Sequence, residues 1–503
     1  MSFFLFYRQE GQKMELLEKN QLLKLNLFRQ LQKEQGGVSI YEISQKLDIS
    51  KDTVKKYLVF LKEDIQKYQL TVELIIENQN IVLKNQEESN VQILKSAYLA
   101  DSIFVEMCFH IVREKSLTID LLSKKIFATY ATTRRNLKKI NDYLTRYDLK
   151  ICEKKICFIG DELNIRLFLT KLFHSIHDSH KKKCSWLRYD PFNQTVSDIN
   201  NTDFIKRANQ SFFCLFLQIT LYRVKQGNFC KPINTIPEII YKEEVTEFLH
   251  CFFKKRVRIS QNNLFNEVKA IKNIIILLKL NEERIMESFQ TKDVLIDEQS
   301  QWLIQITEQK LNNQFSLLEK NRLMDVLRIE YYRVVSIHPA LLESYELPSG
   351  HPYKAPIIQL MHELVGLPTR FFKEDQQKEQ AILYHYLIEL FKLGKIKELL
   401  PKIQVNVHIA NHDLILEKLF KDIASSFVEI EFNEDKNVSP HLILTDSYVY
   451  KETSDHPETL YLTVEDTLTC NYFKIVETVN SVMKAIFELE EWNISKTPTV
   501  PSC

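Results

Sequence analysis

A mainly α, multidomain fold is what this 503-residue sequence predicts, and three observations predict it. Gly and Pro are scarce, at 8 and 13 residues, so little interrupts the helical periodicity of the apolar residues. Two stretches 79 positions apart carry the same helix-turn-helix pattern. From Pro401 onward the pattern changes to short strands alternating with helices, the signature of a small α/β domain with a parallel sheet. At about 150 residues per domain, the length suits roughly three to five domains.

The first unit is expected over residues 14–85. From Met14 to Gln35, Leu16, Leu17, Leu22, Leu23, Leu25, Leu27, Phe28 and Leu31 recur at the helical period, and Gly36-Gly37 ends the helix. Ser39 caps a short helix holding Ile43 and Leu47, Asp48-Ile49 makes the turn, and Ser50 caps a second helix. Val54, Leu58, Leu61 and Ile65 form one face of that helix, and Lys51, Asp52, Lys55 and Lys62 the other. Leu70 to Lys84 alternates as two strands around Glu77–Asn80, the hairpin of a winged helix. The second unit, residues 88–161, repeats the order: a long helix from about Val91 to Glu114, a short one from Thr118, a third from Tyr130 to Tyr147, and strands within Lys150–Ile159 before Gly160-Asp161.

Residues 162–395 are helix-patterned, with polar breaks near 183–203, 226–240, 258–263, 288–298 and 346–356. Two helical bundles fit, at 162–282 and 283–397. The α/β domain, 401–490, is expected to hold strands at Val405–Ile409, Val428–Phe432, His441–Thr445 and Thr459–Val464 and helices at Asp413–Ala424 and Leu468–Glu490.

Composition narrows the function. Apolar residues make up 45% and charged residues 26%, which suits packed soluble domains. The net charge of +1 hides an asymmetry: residues 1–160 hold 26 Lys+Arg against 20 Asp+Glu, and the remainder is acidic by five charges. The basic excess therefore lies on the two repeats, where a phosphate footprint belongs. No phosphate-cradling GxxxxGK[ST] or GxGxxG is present. The nine cysteines are scattered without a CxxC pair, so reduced thiols in a cytoplasm are expected rather than a disulfide framework or zinc finger. Arg8 and Glu10 interrupt the apolar start, which is read as a loose extension and not a signal peptide. No apolar run reaches 18 residues, so no membrane span is expected.

Double-stranded DNA is the partner that the repeats predict. In a helix-turn-helix the second helix enters the major groove with its N-terminal residues against the bases. Those residues are Ser50, Lys51, Thr53, Lys55 and Lys56 in the first unit and Tyr130, Thr132, Thr133, Arg134, Arg135 and Lys138 in the second. One basic pair on an exposed helix is ordinarily just solvated; the pairs Lys55-Lys56 and Arg134-Arg135 recur at equivalent places. With little Asn or Gln to read adenine, backbone contacts and duplex shape should carry much of the binding. The alternative is a winged-helix protein-interaction scaffold without direct DNA binding. An enzyme is not expected: no nucleophile, base and orienting group assemble from linear motifs, and His362-Glu363-Leu364 lacks the second histidine of a zincin. No cofactor is expected, and no metal either: His174, His177, His180 and Cys184 drift around a helix beside Lys181–Lys183.

The order of tandem winged units, two bundles and an α/β domain resembles the Mga family of global virulence regulators of Gram-positive bacteria. The resemblance is strongest at Val38–Ile65, at Leu117–Ile140 and at Lys155–Ile159 leading into Gly160-Asp161-Glu162 and Ile165 to Phe173. It implies bundles similar to phosphotransferase regulation domains and a last domain similar to enzyme IIB. It also implies a transcription regulator, dimeric or larger, tuned by carbohydrate supply through histidine phosphorylation, with the phosphocarrier histidine protein as a partner. The candidate acceptors are His174, His177 and His250 in the first bundle and His338, His351, His362 and His385 in the second. The last domain departs from the enzymes it resembles. Where many carry a nucleophilic Cys after the first strand, this chain has Ala410-Asn411-His412-Asp413, and Cys470 lies far along the chain. Dimerisation or partner binding is the expected use of that domain.

Overall fold

The computed structural model describes residues 17–34, 37–77, 79–84, 89–177, 204–231, 239–241, 243–280, 286–289, 294–342, 371–372, 375–395, 403–408, 430–432, 442–445 and 459–461. The described elements are mainly helical. The chain divides into two compact units, one of Met1–Gln290 with Tyr332–Ser344, the other of Thr291–Tyr331 with Tyr345–Cys503.

In the first unit, helix α1 (Lys19–Lys33) buries Leu25, Leu27, Phe28 and Leu31. Gly37 follows at φ +90°, where an added Cβ would sit 2.9 Å from a Val82 methyl, so both backbone and space require glycine. A short strand β1 (Val38–Ser39) leads into α2 (Ile40–Lys46) and α3 (Lys51–Lys67). The strands β2 (Glu73–Glu77) and β3 (Asn80–Lys84) then pair antiparallel, where two alternating strands were expected. The sequence did not predict that β1 would pair with β3 at Val38↔Ile81 and Ser39↔Asn80, adding a third strand.

The second repeat opens on two helices rather than one. Ser102 leaves the helical region at ψ 136° and its side chain accepts from Val105 N–H, which ends α4 (Ser89–Ala100) and starts α5 (Ile103–Arg113). Apolar periodicity runs on across this break, so it was hidden in the 91–114 pattern. Helices α6 (Ile119–Lys125) and α7 (Tyr130–Leu144) follow, then a 3-10 turn and the hairpin β4 (Lys150–Cys152) and β5 (Cys157–Ile159). Gly160 ends the hairpin at φ +147°, with a built Cβ 2.5 Å from Leu149.

Helix α8 (Glu162–His177) packs on α9 (Gln210–Lys225), and α10 (Glu243–Arg256) packs on α11 (Gln261–Leu277) in the same unit. A buried ion network ties them together. Arg166 and Glu267 are both fully buried and joined by two bonds, at 2.5 and 3.1 Å. Glu162 accepts from Arg166 at 2.8 Å and from Arg223 at 2.7 and 3.0 Å. Next to Arg223 in this network, Gln226 donates to the carbonyls of Val112 and Glu114 at 2.6 and 3.0 Å, satisfying the C-terminal end of α5. The second repeat and the helices that follow it are thus joined by hydrogen bonds. Two short strands were not expected: β6 (Ile239–Tyr241) and β7 (Met286–Phe289) pair antiparallel, so a segment placed by its sequence in the second bundle pairs back within the first unit.

The second unit holds α12 (Val294–Leu311), the start of α13 (Leu317–Ser336) and α14 (Gln376–Lys392). Leu303, Leu323, Leu327, Ile382, Tyr386 and Leu387 form core there, and the Tyr386 hydroxyl donates to Thr307 Oγ1 at 2.9 Å. The expected strands are present as β8 (Ile403–His408), β9 (Ile430–Phe432), β10 (Leu442–Thr445) and β11 (Thr459–Tyr461). They form one sheet in the order β11-β10-β8-β9, and every pairing is parallel. The helices expected at 413–424 and 468–490, the loop at Ala410–Asp413 and Cys470 lie outside the described residues, as do the first 13 residues, His180, Cys184, His351 and His362.

Candidate nucleic-acid interface

Helices α3 and α7 start on the same device. Ser50 accepts from Thr53 N–H at 3.2 Å and its hydroxyl meets the Thr53 hydroxyl at 2.8 Å. Thr129 does the same with Thr132, at 3.2 and 2.9 Å. Each cap satisfies an N-terminal N–H that the helix itself cannot. Of the residues expected to face DNA, Ser50, Thr53 and Thr132 therefore have hydroxyls already engaged in capping.

The cations are placed differently. Lys51, Lys55, Lys56, Arg134, Arg135 and Lys138 are all exposed, and Lys51 with Lys55, like Arg134 with Lys138, shares a helix side at i, i+4. Lys51 Nζ lies 4.6 Å from the Tyr41 ring centroid and Lys56 Nζ 5.8 Å from that of Phe60, so aromatic faces support two of them. Tyr130, at the place equivalent to Lys51, is half exposed at 49%. The structure removes one expected contact. Thr133 is 0% exposed, and its hydroxyl donates to the Thr129 carbonyl at 3.0 Å. It occupies the core position that Val54 fills in the first repeat, so the small polar side chain misled the sequence reading.

The two hairpins differ in charge, which the sequence reading did not weigh. Lys150, Lys154 and Lys155 are exposed on the second beside one acid, Glu153, whereas the first exposes Glu73 and Glu77 beside one cation, Lys84, the register partner of Glu73. Runs such as Lys154-Lys155 were the available signal. Glu153 in the second hairpin approaches Arg134 of α7 at 3.6 Å, with both side chains well exposed. Such a pair is worth little in water, and a phosphate can displace it.

The candidate phosphoacceptors are not brought together. His174 is buried on α8, with Nε2 2.8 Å from the Ser211 hydroxyl. His177 is the last residue of that helix. His250 is partly buried on α10. His338 holds Asp148 through Nε2 at 3.1 Å and accepts from Ala340 N–H through Nδ1 at 3.2 Å. In the second unit, His385 is buried 3.5 Å from the buried carboxylate of Glu330. Among the described residues no group of three or more His, Cys, Asp and Glu could hold a metal ion, and no helix is long and apolar enough to cross a membrane.

Residues 86–173, from the start of the second repeat into α8, match the model of the Mga helix-turn-helix domain. Over 224 residues the chain is 24% identical to the anthrax toxin expression trans-acting positive regulator of Bacillus anthracis, covering 42% of this chain and 44% of that protein. Over 272 residues it is 20% identical to the capsule synthesis positive regulator AcpA of Bacillus anthracis, covering 53% and 54%. The chain spans about half the length of the curated relatives it matches. The second repeat is thus similar to a Mga helix-turn-helix domain, and part of the chain is homologous to these two positive regulators.

Proposed function

We propose that this protein is a DNA-binding transcriptional regulator, an activator of virulence-type genes, in which both repeats are winged helix-turn-helix units. The observation that carries it is the recurrence, 79 positions apart, of an identically capped helix with an exposed basic pair. Exposed helix N-termini and cations suit phosphate. The basic second wing makes the second unit, residues 88–161, the principal grip; the first, 14–85, adds its helix while its acidic hairpin stays off the backbone. The homologues' description as positive regulators supports activation.

In the same reading the bundles at 162–282 and 283–397 are phosphotransferase regulation domains, the parallel sheet within 401–490 belongs to an enzyme IIB-like assembly domain, and the protein works as a homodimer or larger. Phosphoryl transfer needs a reachable ring nitrogen, so His250 and His338 are better placed than the buried His174 and His385. A phosphoryl group on His338 Nε2 would confront the Asp148 carboxylate and break their contact.

A mobility-shift assay with a promoter duplex tests the DNA reading. Affinity should fall steeply with salt, and R134A/R135A should weaken binding more than K55A/K56A. No shift at low salt would instead support a protein-interaction scaffold. Incubation with phosphoenolpyruvate, enzyme I and the phosphocarrier histidine protein, read by mass spectrometry, tests the phosphorylation reading separately.

A further inference from the structure

Cys152 ends β4 and Cys157 begins β5, and the two are register partners across the second hairpin. Asn141 takes both backbone groups of the neighbouring Ile151, donating to its carbonyl at 3.0 Å and accepting from its N–H at 2.6 Å. Ile151 therefore turns its hydrogen-bonding groups away from β5, and by alternation Cys152 and Cys157 form the hydrogen-bonded pair, with Cα atoms about 5.5 Å apart. That separation lies within the roughly 4.4–6.8 Å that a disulfide spans. Both thiols are free and partly exposed.

Their chemistry is unequal. Backbone N–H groups of Lys155 and Lys154 hydrogen-bond the Cys152 sulfur, and the charges of Lys154 and Lys150 add to this, so its thiol is held below the ordinary value. Burial, and then the neighbouring Cys152, pushes Cys157 up. Cys108, Cys214 and Cys230 are buried, and burial pushes their thiols up as well. A thiolate-prone, accessible cysteine facing a second thiol is the arrangement of a redox sensor.

We propose that Cys152 and Cys157 close a reversible disulfide across the second wing, with a peroxide as oxidant. The Cys152 thiolate attacks the peroxide O–O bond, forming a sulfenic acid and releasing hydroxide, which takes up a proton to become water. Cys157 then attacks the Cys152 sulfur; the S–S bond forms, the S–O bond breaks, and a second water leaves with the Cys157 proton. Two thiols are oxidised and one peroxide is reduced. In a hydrogen-bonded pair the side chains stand further apart than in the alternate pair, so the bridge is strained and readily reduced. Closure pulls on the turn that carries Glu153, Lys154 and Lys155, next to Arg134 of α7. Under the DNA-binding reading above, on which this last consequence rests, oxidation weakens the grip on the duplex severalfold.

The full-length protein is treated with hydrogen peroxide, alkylated and digested with trypsin without reduction. Cleavage after Lys154 and Lys155 leaves the bridge joining the peptides Ile151–Lys154 and Ile156–Arg166. The linked pair should appear in protein that runs as a monomer on a non-reducing gel, vanish with dithiothreitol, and be missing from C152S and C157S. C157S should accumulate a dimedone-trappable sulfenic acid on Cys152. Absence of the linked pair from the oxidised wild type, or trapping that is the same with and without Cys157, overturns the proposal. A bridge that forms in a protein unable to shift duplex in either redox state leaves the thiol pair standing and counts against the DNA reading alone.

Discussion

Asp48 and Phe127, 79 positions apart, both hold the left-handed backbone, at φ 52° and 50°, in the turn before the exposed basic helix. The bonds around them match as well: Ile49 N–H reaches Ser44 O and Ala128 N–H reaches Ser123 O, each at 3.0 Å. Asp tolerates this conformation; Phe does not, and at 95% exposure Phe127 recovers nothing by burial. Phe127→Asn is expected to raise the stability of the first unit and Phe127→Val to lower it, each by about 1 kcal/mol. Thermal melts in which Asn and Val move the midpoint the same way would show that the turn is not strained.

The Arg166–Glu267 pair is expected to behave as a buried charge pair whose halves cannot be removed singly. Gln at 267 keeps an oxygen for the Cys230 N–H, which Glu267 binds at 2.8 Å, but turns an N–H donor toward Arg166 in place of the second oxygen, so Glu267→Gln removes the charge and one of the two bonds to Arg166. It should cost about 3–5 kcal/mol, because Arg166 is left buried with only Glu162 opposite. An apolar double variant, R166M/E267L, should recover part of that loss in urea unfolding. A double variant as weak as the sum of the singles would mean that packing, not charge, is at stake.

Both repeats could be read from residues in advance because their signals are local. Ser39 and Ser50 cap the helices that they were expected to cap, and Thr118 and Thr129 cap the equivalent helices of the second repeat; alternation located the four parallel strands near the C-terminus to within a few residues. What escaped depends on distant partners. Thr133 is polar by type and core by position, since the turn aims it inward. The Glu162, Arg166, Arg223 and Glu267 network joins residues up to 105 positions apart, and nothing in the local pattern distinguishes Arg166 from a solvated arginine. Cys152 and Cys157 looked scattered until hairpin register set them opposite each other.

Acid should loosen the starts of two helices. The Ser39 N–H donates to Glu42 at 2.9 Å and the Ser316 N–H to Glu319 at 2.7 Å, and these backbone bonds chiefly hold both carboxyls below the ordinary glutamate value. A lowered folded-state value means that the stabilisation is present above the ordinary value and is lost as pH falls through and below it. E42Q and E319Q should therefore lower stability near neutrality and flatten its decline between about pH 5 and 3. Parallel curves for variant and wild type across that range would exclude this contribution.

Under the proposed DNA-binding reading, the unequal charge of the hairpins gives the sharpest test of how the two repeats would share a duplex. If Lys154 and Lys155 meet phosphates, K154A/K155A should weaken binding to all duplex sequences alike and reduce the salt slope by about one for each phosphate no longer neutralised. Glu73 and Glu77 are exposed on the first hairpin, where they repel a backbone that comes near. E73K/E77K should then steepen the slope and strengthen binding if the first wing swings within a Debye length of the duplex, about 8 Å at physiological salt. An unchanged slope would place that wing away from DNA and leave the first repeat gripping only through Lys51, Lys55 and Lys56. Because the net charge of each variant changes by a known amount, a third variant with Lys exchanges far from either hairpin separates local contact from a general rise in positive field.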